Sequence, residues 1–437
     1  MNTTSVLQQF RQSVYQILPK RADAMVDLVD ALTVAGHVDS PVALSEEAPY
    51  RRKFSSIYDT LGEGRIEAEQ VHPILERQQP ADCEQIAGYE VYALDCTPDE
   101  RPEAETLAER GLLKAQKNAP VRVGQKFSWL VRLVKQRTSW IAPWDVRRVK
   151  VDSNDNQTAV AQIKALDGQS KRPKVVVADS LYANQVFLAV FLVLQTVVAL
   201  VRLRQNVILY EQPKPRLAGK RGAPQKHGAA FRMGKSLRKP DRSETFSLGS
   251  QQIRLDAWHK LHLIKLPTLI GLVLRVEFLK PDGSLRYKRP MWLFWIGPET
   301  VALQDVCRMY LWRFAIEHAF RFMKQHLGLN AHRLTDNDAI QRWMWLCALA
   351  YWQLLLMGRQ VEDLCSAWYP RKSQDQQVWM TPGQVQRGAG RFLAKLGTPA
   401  CAPRPAGKGL GRIKGYRPAL KKRHEVVRKG QTTQKRL

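Results

Sequence analysis

Acidic side chains are the scarce ones in this sequence: 40 Asp and Glu stand against 68 Lys and Arg, leaving +28 over 437 residues. That imbalance points to a polyanionic partner, with nucleic acid first and anionic membrane or ribosome assembly behind it. Cysteine is also sparse. The six, Cys83, Cys96, Cys307, Cys347, Cys365 and Cys401, include no C-x-x-C pair and no zinc-like spacing to a histidine pair. A reducing cytosol is the simple expectation. The first 25 residues lack the basic start, apolar stretch and small-residue cleavage site of a signal peptide, so export is not expected. The longest apolar run, Val186 to Val201, is broken by Gln195 and leads into β-branched, alternating sequence. It reads as a buried helix turning into a central strand, not a membrane span.

What is present is ample core material: 44% hydrophobic residues and 12 Trp, enough for an enzyme core with smaller appended parts. Residues 1–80 read as helical, either binding DNA ends or capping the core. Residues 88–210 read as a mixed α/β core. GYEVYALDCTP, FSWLVRLVKQRTSW and WDVRRVKV are strands, NQTAVAQIKALDG is a helix stopped by Gly168, and KVVVADSLYAN is a further strand. Residues 211–300 read as a basic loop, Lys214 to Arg242, followed by an inserted β-rich subdomain. Helices return over 301–358, a C-terminal region spans 359–402, and residues 403–437 form a basic tail. That tail holds 12 Lys or Arg and one acid, Glu425. It is expected to be flexible, serving phosphate contact more than solubility.

Two strands end on acids, Asp95 in ALDCT and Asp179 in VADS, where side chains are held firmly yet stay open to a ligand. A strand-end Asp also serves as a turn former, so neither settles a site alone. Asp99 and Glu100, beyond Pro98, read as solvated turn residues. The segment YLWRFAIEHAFRFMK predicts one helix. At about 100° per residue, its Tyr310, Arg313, Glu317 and Lys324 share a sector of roughly 60° on an otherwise mostly apolar wall. Such a stripe either lines a site or is an Arg313–Glu317 surface salt bridge, and the helical wheel leaves the two readings level.

The spacing Tyr310-x2-Arg313-x3-Glu317-x6-Lys324 resembles the Y-R-E-K signature of a group of bacterial insertion-sequence DDE transposases. The likeness extends over residues 88–357: Asp95 followed by Thr97, Asp179 in a hydrophobic strand, a long β-rich insertion, then Glu317 on a helix. It departs at Cys96, where the group more often has a small or acidic residue. The resemblance implies a ribonuclease H-like α/β core in which Asp95, Asp179 and Glu317 hold two Mg²⁺ ions, replaceable by Mn²⁺, on the scissile phosphate. It implies phosphate contacts by Tyr310, Arg313 and Lys324, with Arg202 and Arg204 placed near DNA. It also implies a Trp that stacks on a flipped base, for which Trp292 and Trp295 are candidates and Trp258 a third.

The function expected is metal-dependent cleavage at terminal inverted repeats and strand transfer into target DNA, by a homodimer in a synaptic complex on the bacterial nucleoid. A captured, non-catalytic DNA-binding protein and a structure-selective nuclease are the alternatives. The histidines, His259 and His262 among them, are expected to be structural or solvent-facing.

Overall fold

The computed structural model describes residues 3–113, 120–215, 223–235, 238–358, 360–361, 364, 379–405, 411, 413–417 and 419–428. Four helices lead: α1 (Thr3–Ile17), α2 (Ala22–Val34), α3 (Ser55–Glu63) and α4 (Ala68–Arg77). Then come β1 (Glu90–Glu100), β2 (Gly111–Leu113), β3 (Arg122–Leu133), β4 (Ile141–Arg148), α5 (Asp155–Asp167) and β5 (Lys174–Ala178). Asn154 starts α5 by accepting the backbone N–H groups of Asn156 and Gln157, both at 3.0 Å. The apolar run becomes a short helix, α6 (Gln185–Leu188), a tight turn and β6 (Val197–Leu203). Among the described residues no helix is long and apolar enough to cross a membrane.

The remaining strands are β7 (Ile208–Glu211), β8 (Ala230–Arg232), β9 (Arg242–Leu248), β10 (Gln251–Leu263), β11 (Leu266–Leu279) and β12 (Met291–Ile296). Helices α7 (Leu303–Trp312), α8 (Ala315–His326), α9 (Asn337–Met357) and α10 (Pro382–Leu396) follow. All twelve strands of the described residues join one sheet, ordered β2-β3-β1-β5-β6-β12-β11-β10-β7-β8, with β4 beside β3 and β9 beside β10. The strands of the segment expected as an inserted β-rich subdomain continue the core sheet, β12 pairing antiparallel with β6. The segment expected as a basic loop contributes β8, paired with β7. Cys365 and most of residues 359–378 lie outside the described residues.

Both sheet faces are buried, and the period-2 alternation sorts side chains between them. Val91 and Ala93, Val175 and Val177, and Leu200 face the core shared with α2, α7, α8 and α9. Tyr92 and Leu94, Val176 and Ala178, and Ala199 and Val201 face the core that holds Ile163 and Leu166 of α5 and Phe187 of α6. By that parity Asp95, Asp179 and Arg202 all turn toward the side covered by α7 and α8.

Candidate active site

Strand β1 runs antiparallel to β3 from Tyr92↔Arg132 to Glu100↔Gly124, but its parallel pairing with β5 ends at Leu94↔Ala178. One residue further on, Asp95 and Asp179 stand side by side at the carboxyl edge of the parallel strands, where α/β sheets open into ligand crevices. Asp95 accepts the Cys96 N–H at 2.8 Å, and Asp179 accepts the Leu181 N–H at 2.8 Å. The two acids are thus turned by local backbone donors before any partner arrives.

The expected single helix over Tyr310–Lys324 is not continuous. Bonds from Arg313 N to Tyr310 O, Phe314 N to Leu311 O, Ile316 N to Arg313 O and Glu317 N to Phe314 O have i→i−3 spacing, so α7 passes into α8 through a tightened turn. The tighter winding rotates Glu317 relative to Tyr310. Arg313, within the turn, joins the two parts of the site: one guanidinium nitrogen is 3.3 Å from Asp95 Oδ2 and another 3.0 Å from Glu317 Oε1. The Arg313–Glu317 salt bridge of the charged stripe is present, and the same guanidinium reaches Asp95.

Burial pushes the Asp95 carboxyl from an ordinary 3.8 up to about 6; Arg313 opposes the rise, while Asp179 and Glu317 add to it. Those like-charge contributions show three carboxylates within electrostatic reach of one another. Burial disfavours the charge on Arg313, but Tyr310, Asp95, Glu317 and Asp179 outweigh it and hold the guanidinium charged. Its buried Nε has no hydrogen-bond partner. Burial lowers Lys324, opposed by Glu100, Asp99 and Asp95.

Tyr310 is only 6% exposed, with Arg313 5.8 Å above its ring centroid, so it backs the guanidinium and offers little surface to a ligand. Arg202 is exposed near Tyr310, and Arg204 Nε lies 3.4 Å from Ser180 Oγ, beside Asp179. The tryptophans are a correction. Trp258, Trp292 and Trp295 are 5%, 3% and 1% exposed because both faces of the sheet are covered, so none presents a free ring face to a base. Trp295 packs against Tyr89 and donates to Pro298 O at 3.0 Å, while Trp292 packs against Trp258.

Asp99 is a second correction: β1 continues past Pro98, and Asp99 is 1% exposed, not solvated. Its Oδ2 is 3.1 Å from His332 Nε2, while His332 Nδ1 faces the Arg101 guanidinium at 2.7 Å and the Leu334 N–H at 3.2 Å. Two donors at Nδ1 place the ring proton on Nε2, toward Asp99. This network fastens the loop after α8 to β1. Of the histidine pair, His262 is buried and within 2.9 Å of both Gln212 and His227, and His259 lies 3.3 Å from Glu299. Sequence reading did not single out Lys126 or Asp155, which form an ion pair next to Cys96. Nothing local marks a pair 29 positions apart.

The donor set of Asp95, Asp179 and Glu317 is all oxygen, the kind hard divalent cations prefer. Among the described residues, however, no three His, Cys, Asp or Glu side chains are gathered at metal-holding distance.

Fold and site together define an α/β protein with a cluster of acids, bridged by a guanidinium, at the carboxyl edge of its sheet. The sequence profile of the DDE superfamily endonucleases matches residues 13–263, more than half of the chain, and the protein belongs to that family. The matched stretch contains Asp95 and Asp179 and ends before Glu317. No curated protein matches the sequence. A solved structure described as the piggyBac transposase synaptic complex with hairpin DNA is similar over 89% of this chain and 73% of that chain, at 9% identity and a TM-score of 0.39. A likeness that loose aligns no residues.

Proposed function

We propose that the protein is a DDE transposase that cuts DNA at the ends of its element and joins those ends to target DNA. The observation that carries this reading is Arg313 bridging Asp95 and Glu317 beside Asp179, with Asp95 raised by burial and by its acidic neighbours. A perturbed carboxylate with two further acids near it at a sheet edge is an arrangement suited to phosphoryl transfer. Two antiparallel strands, β4 and β3, adjoining the parallel trio β1, β5 and β6 support a ribonuclease H-like core.

Asp95, Asp179 and Glu317 would hold two Mg²⁺ ions, with Mn²⁺ able to replace them. Bound there, such ions supply Lewis acidity to the scissile phosphate and lower the pKa of an attacking hydroxyl. Glu317, 42% exposed on its side chain, is free to swing toward the two aspartates. Arg313 then offers the donor released by Glu317, together with its unpartnered Nε, to non-bridging phosphate oxygens. Lys324, Arg202 and Arg204 add positive charge along the backbone path and position DNA without reading its sequence. Tyr310 positions Arg313. A homodimer would synapse two inverted-repeat ends.

A captured, non-catalytic DNA-binding descendant is the second reading, favoured by Arg313 already engaging two of the acids. Mg²⁺-dependent cleavage of duplex DNA bearing the element's own terminal repeat separates the two. Wild type cuts and Glu317→Gln does not; cutting by both removes Glu317 from the site, and cutting by neither favours the descendant.

A further inference from the structure

The C-terminal tail carries 11 of the 28 net positive charges and, from composition, reads as a loose polyelectrolyte. Its described end is docked. Lys421 Nζ lies 3.3 Å from Thr335 Oγ1. The His424 N–H donates to Glu105 O at 2.8 Å, and the Val427 N–H to Arg110 O at 2.7 Å. Arg110, itself buried, returns a bond from its guanidinium to His424 O at 3.1 Å, and Val427 pairs in parallel with Gly111 on β2, the edge strand. Backbone addition to an open sheet edge fixes a segment whatever its side chains, and leaves those side chains free to face outward.

The side chains left outward are largely cationic, with the exposed Ile413, Tyr416 and Leu420 beside them. Lys414, Arg417, Lys421, Lys422, Arg423 and Arg428 are exposed, with Glu425 the one acid among them. Exposed Arg333, held at φ 51 between His332 and Leu334, adds to the same rim. The tail thus crosses the loop that continues β1 out of the acid site. From Asp95 to Glu100 is five residues along that strand, about 17 Å at roughly 3.3 Å each. The tail lies three strand spacings to the side of Glu100, across β3 and β2, about 14 Å at roughly 4.8 Å each, so it stands about 22 Å from Asp95, or about six to seven nucleotides along one DNA strand.

We propose that the tail is an anchored clamp: its pairing with β2 fixes a row of cations on the phosphates about six to seven base pairs from the cut. This rests on the reading of the protein as a DNA-cutting enzyme.

The full chain is compared with two variants for binding to a duplex of about 30 base pairs, from about 50 to 300 mM salt. Lys414→Gln, Arg417→Gln, Lys422→Gln and Arg428→Gln combined remove charge from exposed positions and leave the docking contacts in place. Val427→Pro removes the N–H donated to Arg110 while keeping every charge. The combined variant should lose about 3 to 4 from the slope of log K against log salt, at roughly 0.9 per phosphate contact. Val427→Pro should bind at least tenfold more weakly at about 150 mM salt, with unchanged thermal unfolding. Parent-like binding by both variants overturns the clamp. Loss by the combined variant alone also overturns it, because the charges would then act without the anchor. Absence of duplex binding by the parent overturns the enzyme reading itself, and the clamp with it.

Discussion

Replacing Asp95 with Asn is expected to make the protein more stable at neutral pH while removing its activity. The Asp95 carboxyl is raised from 3.8 to about 6, so between those values the folded chain holds a proton that the unfolded chain has released. Stability then falls as pH rises from about 4 to about 6 and stays reduced above that. At 1.36 kcal/mol per tenfold change in acidity, ionising Asp95 costs at most about 3 kcal/mol. Its side chain is 27% exposed, so solvent screening brings the expected figure nearer 1–2 kcal/mol. Asn keeps an acceptor for the Cys96 N–H and carries no charge to bury, while Glu317 remains as the counter-charge to Arg313. Urea unfolding of both proteins in metal-free buffer at pH 4.5 and pH 8 reads the difference. The variant should be the more stable at pH 8, with a gap that narrows toward pH 4.5. A variant less stable than its parent at pH 8, or a gap independent of pH, would refute the electrostatic account of the site. Cation binding should weaken as pH falls, since it needs the carboxylate in its charged form.

Lys324→Ala should weaken duplex binding and lower the salt slope by about 0.9, the value for one phosphate contact, and equal slopes would remove Lys324 from the DNA path. His332→Ala leaves Asp99 and Arg101 buried without their shared partner, and a loss of about 3 kcal/mol is expected in urea unfolding. A loss below about 1 kcal/mol would mean that water enters and replaces the ring.

Much of the sheet was legible because alternation along a strand is a local signal. Val91, Ala93 and Asp95 share one face, as do Val175, Val177 and Asp179, and that parity alone turns the two acids the same way. The turn between α7 and α8 was not legible, since Arg313, Phe314, Ala315 and Ile316 are ordinary helix residues; its i→i−3 bonds are seen only in the folded chain. Asp99 looked solvated because Pro98 precedes it, and its partner His332 lies 233 positions away. Trp292 and Trp295 looked available to DNA because nothing in PMWLFWIG reveals that both faces of β12 are covered. The tail's composition gave its charge, but its pairing with Gly111 depends on an edge strand more than 300 residues earlier.

The two contacts of Arg313 differ in what it costs to break them. Its bond to Glu317 joins residues four apart, and the glutamate side chain is 42% exposed, the kind of pair worth a few tenths of a kcal/mol. Its bond to Asp95 joins chain segments 218 positions apart, with both side chains mostly buried, so breaking it strands a charge away from water. The Glu317 contact is therefore the one that Arg313 gives up at the lower cost. Glu317→Gln should accordingly change unfolding free energy by less than about 0.5 kcal/mol. A loss of activity in that variant would then report the chemistry of the site and not the integrity of the fold. A large destabilisation would instead show that Glu317 helps hold α8 against the sheet, and the activity comparison would have to be repeated with Glu317→Asp.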